Sequence, residues 1–361
     1  MNRYHAALLD EAIDRFEKSR WKADLLLASL FREHHVGKRD RTIISDLFFT
    51  YIRRRYLIER LMSEGFSRTD ATAKAHETTE APPELLHSFP TLYHAAASER
   101  YGAAAQKALV WLNGRAPTTI RVNVRLTNCN ELKLALAAEG IRAVPTPVAP
   151  HGLIVTQGES QLTKTKWYEK GHFELQDEAS QIAVTLVPQS TFSLLDLCAG
   201  GGGKSLALAA ERPHLTITAS DIRVARFTEI RRRAERAGVV IEILTPGRLE
   251  NRRFDAVLVD APCSGSGVLR RNPEDRWRIG ETELAILRES QRECLETAYK
   301  HTRSGGVIVY LTCSYFADEN EEQIAAFLKS YPDLSLEAPP RMLTEPGGTA
   351  DLMFGACMRK R

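Results

Sequence analysis

Apolar side chains recur at helical spacing through the first part of the chain, from about residue 5 to residue 110. The first such run is Leu8, Leu9, Ala12, Ile13 and Phe16. Gly37, Gly65 and the Pro82-Pro83 pair interrupt the pattern, as expected where helices end. The pattern therefore predicts an all-α domain over residues 1–112.

The period then changes, and residues 119–124 alternate between polar and apolar side chains as a half-buried strand does. Residues 130–139 predict a helix that ends at Gly140, a usual glycine position at helix ends. The proline-rich residues 144–150 predict an extended linker or a sheet edge. We expect a small α+β linking domain over residues 113–165.

From about residue 168, short apolar runs alternate with helical patterns, which is typical of a parallel α/β sheet. Cysteines follow two of these runs. Asp260-Ala261-Pro262-Cys263-Ser264 comes after residues 256–259, and Leu311-Thr312-Cys313-Ser314-Tyr315 comes after residues 307–310. Each thiol should stand just past the carboxyl end of a buried strand, the edge at which open α/β sheets bind ligands.

A glycine loop follows an earlier apolar run of the same region. Residues 194–197 predict a strand, the segment from Cys198 to Lys204 contains four consecutive glycines, and a helix is expected from Ser205. Such a loop can bring backbone N–H groups close to a ligand. It is not a Walker A loop, because Cys198 stands where the first glycine is needed. Asp221 ends the next predicted strand, where a carboxylate can accept ribose hydroxyls of a nucleoside cofactor.

Composition and charge narrow the class of protein. The chain has 361 residues, 43% hydrophobic and 26% charged, with a net charge of +3 that does not by itself indicate nucleic acid. Arginines cluster, however, at residues 53–55, 231–233, 252–253 and 270–271, which favours a polyanionic substrate. No C-x-x-C pair suggests zinc, and no apolar run is long enough for a membrane span. We expect free thiols in the cytoplasm, with Cys129, Cys294 and Cys357 as core residues.

These motifs resemble the RsmB/Nop/Sun family of S-adenosylmethionine-dependent RNA cytosine-5 methyltransferases. The resemblance covers about 190 residues and includes D-A-P-C-S at 260–264, T-C-S at 312–314, Glu319-Asn320 and Q-D-x-x-S at 176–180. The helical start is similar to the NusB-like domain of bacterial members. Two positions depart from the family pattern: Gly201 replaces a proline of the cofactor loop, and Pro246 stands where an acidic residue is usual.

The resemblance implies a fold, a cofactor and a set of roles. It implies a Rossmann-like class I methyltransferase domain, with a mostly parallel seven-stranded sheet, over residues 166–361, preceded by the linking domain and an RNA-binding NusB-like domain. S-adenosylmethionine would be the cofactor. The partner would be 16S ribosomal RNA, with its backbone held by Arg270, Arg271 and Arg276. The catalytic residues would be Cys313 as the nucleophile, Cys263 in proton removal or adduct release, Asp260 at the cytosine ring and Lys204 beside the thiol. The cofactor would be bound by Cys198, Ala199, Gly200, Gly201, Gly202, Gly203, Lys204, Asp221, Arg226 and Asp260.

Three other interpretations stay open from the sequence. The RNA could be transfer RNA. A DNA cytosine-5 methyltransferase would use Cys263 as its nucleophile, although the second thiol at Cys313 argues against this. A non-catalytic RNA-binding assembly factor would explain Gly201 and Pro246. We expect a monomer with no metal and no membrane contact.

Overall fold

A computed structural model describes residues 2–361 of the chain. The chain divides into two compact units, and each contains two separate stretches of sequence. Unit 1 comprises residues 1–115 and 268–283, and unit 2 comprises residues 116–267 and 284–361.

Unit 1 is helical, as the apolar spacing predicts. Its α-helices are α1 (Arg3–Lys18), α2 (Ala23–Glu33), α3 (Lys38–Arg53), α4 (Arg55–Ser63), α5 (Arg68–Glu77), α6 (Pro83–Leu86), α7 (Thr91–Tyr101) and α8 (Ala105–Leu112). The predicted apolar stripe of α1 is buried, and it packs in one core with Leu30, Phe48 and Ile58. Burial of these stripes stabilises the helices, because short helices in water gain little from propensity alone.

Residues 268–283 belong to this helical unit although they follow the Cys263 motif in sequence. The Arg276 side chain is completely buried there. Its guanidinium donates to Asn113 Oδ1 at 2.8 Å and to the Ser88 carbonyl at 3.1 Å, and it lies 4.0 Å from the Phe89 ring centroid. Arg276 therefore anchors the segment within unit 1. The expectation that it holds the RNA backbone is wrong, because solvent and ligand cannot reach it.

Other arginines of the predicted basic clusters also serve the fold of unit 1. Arg270 is buried and stacks 4.3 Å from the Trp111 ring centroid, whereas Arg271 is exposed. Arg54 donates to the carbonyls of Ala75 and Thr78 at 2.5 and 2.6 Å. A cluster of arginines in the sequence thus contains both buried side chains and exposed ones.

Unit 2 begins with a small four-stranded sheet. Its elements are β1 (Thr118–Val122), α9 (Cys129–Ala137), β2 (Arg142–Pro145), β3 (Gly152–Gln157), α10 (Lys166–Glu169) and β4 (Phe173–Leu175). The strand order is β2-β3-β1-β4, and all pairings are antiparallel. The proline-rich segment enters β2, which lies at the sheet edge where a missing N–H donor is tolerated.

The second sheet of unit 2 is the larger one. Its elements are α11 (Glu178–Ala183), β5 (Ser193–Asp196), α12 (Gly203–Glu211), β6 (Thr216–Ala219), α13 (Arg226–Ala237), β7 (Glu242–Ile243), β8 (Phe254–Asp260), α14 (Glu281–His301), β9 (Thr302–Thr312), α15 (Glu321–Ser330), β10 (Leu334–Leu336), β11 (Arg341–Met342) and β12 (Phe354–Lys360). The sheet order is β10-β12-β9-β8-β5-β6-β7, and β11 pairs with β12. Strands β5 to β9 run parallel and β12 is antiparallel to β9. The predicted Rossmann-like α/β fold is confirmed, with eight strands where seven were expected.

Strands β8 and β9 are buried on both faces, which explains their uninterrupted apolar sequences. Ala256, Leu258 and Val309 pack into one core cluster, and Val257 and Ile308 pack into the cluster on the opposite face. This double burial fixes both strands in the sheet interior and sets where their carboxyl ends lie. No helix among residues 2–361 is both long and apolar enough to cross a bilayer.

Candidate active site

The two predicted thiols lie together at the carboxyl edge of the large sheet. Cys263 follows β8 and Cys313 follows β9, and their sulfur atoms are 3.3 Å apart. Parallel pairing produces this meeting, because Asp260 and Leu311 are register partners at the ends of the two strands. The structure thus joins two cysteines that are 50 residues apart in sequence.

The contact between the two sulfur atoms affects Cys263. Hydrogen bonding to Cys313, together with burial, raises the pKa of Cys263 well above its usual value. Cys263 therefore keeps its proton near neutral pH, and its S–H can donate to the Cys313 sulfur.

Lys204 and Asp260 form an ion pair beside the thiols. Lys204 Nζ lies 2.5 Å from Asp260 Oδ2, and the lysine side chain is almost fully buried. Burial alone would lower the pKa of Lys204, but attraction to Asp260 outweighs it and the pKa is raised. The ammonium therefore stays charged. Asp260 keeps about a third of its side chain exposed, at 36%, so its carboxylate can still meet a ligand.

The glycine loop lies between the end of β5 and the start of α12. Gly200 and Gly202 have φ angles of +54° and +78°, a left-handed conformation that side chains disfavour. Gly202 N donates to the Ala199 carbonyl at 2.7 Å, which closes a tight turn. The helix then begins at Gly203, so its first N–H groups are directed toward the loop. This arrangement fits the cradle expected for a nucleoside cofactor.

Asp221, after β6, contacts the glycine loop directly. Its Oδ2 accepts from Gly200 N at 2.9 Å, and its Oδ1 accepts from Arg223 N at 2.7 Å. The side chain is buried, at 3% exposure. Ribose hydroxyls that bind Asp221 would donate to a carboxylate that already accepts from these two backbone N–H groups.

Comparison with known proteins adds a family to this geometry. Residues 183–350 match the family model described as 16S rRNA methyltransferase RsmB/F, and residues 89–160 match its ferredoxin-like domain. The chain is 33% identical over 231 residues to ribosomal RNA small subunit methyltransferase B of Photorhabdus laumondii, covering 62% of this chain and 54% of the relative. The protein of that name from Yersinia pestis is 32% identical over 269 residues, covering 72% and 61%. These matches support the RsmB/Nop/Sun family for this chain. It spans 54 to 61% of the length of these curated relatives.

Solved structures share the fold of this chain. The crystal structure of PH0851 has a TM-score of 0.82 at 21% identity and covers 100% of this chain and 99% of its own. NSun6 from Pyrococcus horikoshii, solved with SFG, has a TM-score of 0.66 at 19% identity and covers 76% and 98%. A methyltransferase homologue from the same organism has a TM-score of 0.64 at 23% identity and covers 84% and 99%.

Two residues of the expected cofactor set have surroundings that the sequence does not indicate. Arg226 is the first residue of α13 and its side chain is exposed, with no contact to the glycine loop among the described residues. The Cys198 side chain packs in the core, where its sulfur lies 3.6 Å from that of Cys294. Hydrogen bonding to Cys294 and burial raise the pKa of Cys198. Cys198 therefore presents its backbone, rather than its thiol, to the loop.

Glu319 is a functional candidate to which sequence reasoning gave no role. This fully buried side chain accepts from Ser264 N at 2.8 Å, from Ser264 Oγ at 2.5 Å and from Gln291 Nε2 at 2.9 Å. It thereby holds the turn that carries Cys263. The neighbouring Asn320 donates to the Ser314 carbonyl at 2.8 Å and holds the turn that carries Cys313.

In the sequence, Glu319 and Asn320 were signalled by the Glu-Asn dipeptide alone. The partners of Glu319, Ser264 and Gln291, lie far from it along the chain. A further missed residue, Arg233, contacts the glycine loop at Gly201. No cluster of three or more His, Cys, Asp or Glu side chains suited to a metal ion occurs within residues 2–361.

Proposed function

We propose that this protein is an S-adenosylmethionine-dependent RNA cytosine-5 methyltransferase that modifies 16S ribosomal RNA through a covalent Cys313 adduct. The observation that carries the proposal is the pair of sulfur atoms 3.3 Å apart, beside the Lys204–Asp260 ion pair and the glycine loop. The match to the RsmB/F methyltransferase model and the SFG present with the archaeal NSun6 support S-adenosylmethionine as the methyl donor. The family model and the named relatives support 16S ribosomal RNA as the substrate.

The glycine loop and Asp221 would hold this cofactor, with backbone N–H groups at the loop and the carboxylate at the ribose. S-adenosylmethionine, when bound there, supplies an electrophilic methyl group. Lys204 keeps a positive charge next to Asp260, which neutralises this partly exposed carboxylate and holds it in place.

Cys313 would act first on the cytosine. Its thiolate forms a bond to carbon 6, and the electron pair of the 5,6 double bond moves to the ring so that carbon 5 becomes nucleophilic. Asp260, partly exposed at the end of β8, would accept a hydrogen bond from the exocyclic amine of the ring. Carbon 5 then takes the methyl group.

Cys263 would act in the last step. Loss of the carbon 5 proton to solvent water restores the double bond and expels the Cys313 sulfur as a thiolate. The raised pKa of Cys263 favours the release role, because a protonated S–H next to Cys313 can donate a hydrogen bond to the leaving sulfur. It also disfavours the DNA-type mechanism, in which Cys263 would have to be the attacking thiolate.

Two cysteine substitutions test the proposal. Cys313→Ala should abolish methyl transfer to unmethylated 16S ribosomal RNA while S-adenosylmethionine binding, measured by calorimetry, is kept. Cys263→Ala should slow release, so that labelled RNA stays attached to the protein on a denaturing gel. Cys129→Ala removes a thiol at the start of α9, remote in sequence from both motifs, and as the matched control it should resemble the wild type.

Near wild-type turnover in Cys313→Ala would show that Cys313 is not the nucleophile. Cofactor binding without transfer to any RNA by the wild type would favour the assembly-factor alternative. Methylation of transfer RNA but not of 16S RNA would show that the substrate is transfer RNA and would leave the proposed chemistry unchanged. The RNA-binding domain boundaries, the monomeric state and the cytoplasmic location stay predictions.

A further inference from the structure

The cofactor loop has a contact that neither the family motif nor the proposed mechanism explains. Gly201 stands where the resembling loops carry proline, so this loop lacks the residue that would restrict its backbone. Four consecutive glycines at 200–203 lose more conformational freedom on ordering than other residues do. Something outside the loop must therefore limit its motion if the loop is to be ordered before a ligand binds.

Arg233 of α13 is the side chain that contacts the loop at this position. Its Nη1 donates to the Gly201 carbonyl at 2.6 Å. Its Nε and Nη2 donate to Glu174 Oε2 of β4 at 3.1 and 2.9 Å. The Arg233 and Glu174 side chains are only 15% and 4% exposed, and Arg236 forms an ion pair with the other oxygen of Glu174. A guanidinium held on both edges has little freedom to move away from the loop.

The space at Gly201 is occupied by this guanidinium. A β-carbon at Gly201 would lie 3.0 Å from Arg233 Nη1, closer than ordinary contact. Unlike Gly200 and Gly202, Gly201 does not have a positive φ angle, so backbone conformation is not what requires glycine there. The absence of a side chain at Gly201 and the position of Arg233 therefore depend on each other.

We infer that Arg233, clamped by Glu174, is a positioning residue that orders the cofactor loop by its hydrogen bond to Gly201, in place of the proline of related loops. The inference rests on the proposed function only in taking S-adenosylmethionine as the ligand of the loop. It predicts that the effect of a substitution at Gly201 changes sign when Arg233 is removed.

The test is a double-mutant cycle on the full chain, with S-adenosylmethionine affinity measured by calorimetry. Loss of one charge-assisted hydrogen bond should make Arg233→Ala bind about tenfold more weakly. Gly201→Pro alone should also weaken binding, because the ring meets the clamped guanidinium. Gly201→Pro in the Arg233→Ala background should instead restore affinity, since the space is then open and proline restricts the loop.

Further readouts separate positioning from general stability. Arg233→Ala should raise KM for S-adenosylmethionine, leave kcat at saturating cofactor unchanged and speed amide exchange at residues 199–203. Arg233→Lys keeps the ion pair to Glu174 but cannot reach the Gly201 carbonyl at the same time. It should therefore raise KM in the same way, and it replaces the alanine variant if that protein does not fold. Arg232 is an exposed arginine of the same helix and forms an ion pair with Glu229 of α13. Arg232→Ala is therefore the control and should match the wild type.

Unchanged affinity in Arg233→Ala, or an equal effect of Gly201→Pro in both backgrounds, would overturn the inference. These outcomes are distinct from failure of the proposed function, which would appear as no S-adenosylmethionine binding by the wild-type protein.

Discussion

Removal of the Glu319 carboxyl should destabilise unit 2 and displace the Cys263 turn. In Glu319→Ala, the buried Ser264 N–H loses its acceptor, at a cost of about 1–3 kcal/mol. The Ser264 hydroxyl and Gln291 lose a bond each but keep other partners, Ser314 Oγ and the Pro262 carbonyl, so each adds about 1 kcal/mol or less. We expect a total loss of about 3 kcal/mol in the free energy of unfolding.

Activity should fall more steeply than stability. The turn that Glu319 holds carries Cys263, and a displacement of about 1 Å in a catalytic group can cost about 100-fold in rate. Denaturant unfolding followed by circular dichroism gives the stability change, and methyl transfer to 16S RNA at a temperature where both proteins are folded gives the rate.

Two matched variants sharpen this measurement. Asp318→Ala removes the adjacent acid, which forms only a surface ion pair with Arg288, and should cost less than about 1 kcal/mol. Glu319→Gln keeps one acceptor for Ser264 N–H and can donate its amide to Ser264 Oγ, so it should lie between the alanine variant and the wild type. Equal stability and equal activity of the Glu319→Ala and Asp318→Ala proteins would refute the role of Glu319.

Ionisation of Glu319 should also make the stability of the protein depend on pH. Burial raises its pKa despite the hydrogen bonds that favour the charged form. The protonated side chain therefore contributes stability that is complete below the ordinary carboxyl pKa and is lost as pH rises through the raised value. The glutamine variant cannot ionise, so its deficit relative to the wild type should shrink as pH rises through this range.

Four further substitutions have expected outcomes. Asp221→Ala should weaken S-adenosylmethionine binding by about 1.5–3 kcal/mol, and unchanged affinity in calorimetry would remove Asp221 from the site. Burial raises the pKa of Asp196 from 3.8 to about 6, so between pH 4 and 7 the wild type should lose up to about 3 kcal/mol more stability than Asp196→Asn does; parallel pH–stability curves would contradict this. Arg276→Met should destabilise unit 1 by about 3 kcal/mol because Asn113 and the Ser88 carbonyl lose their donor, which thermal unfolding would reveal. Arg271 is exposed, so Arg271→Ala should make RNA binding less dependent on salt, and an unaltered salt slope would exclude a phosphate contact.

The amino-acid sequence by itself determined the large sheet and the location of the thiols. Residues 256–259 and 307–310 are apolar at every position, and only a strand covered on both faces buries such a run efficiently. Once both runs are neighbouring parallel strands, whatever follows them must meet at one edge. Cys263 and Cys313 were therefore predictable as a pair without knowledge of their 3.3 Å separation.

Only the tertiary structure decided which charged side chains are buried in the fold and which face solvent. Arg271 and Arg276 belong to one basic stretch of the sequence, yet Arg271 is exposed and Arg276 is wholly buried against partners just after α8 and in the loop before α7. Glu319 and Arg233 likewise take their roles from partners 55 and 59 residues away. Hydrophobic spacing encodes burial of an element's face, because burial depends on residue type and period. The partner of a single buried charge depends on chain segments that converge only on folding, so no local pattern specifies it.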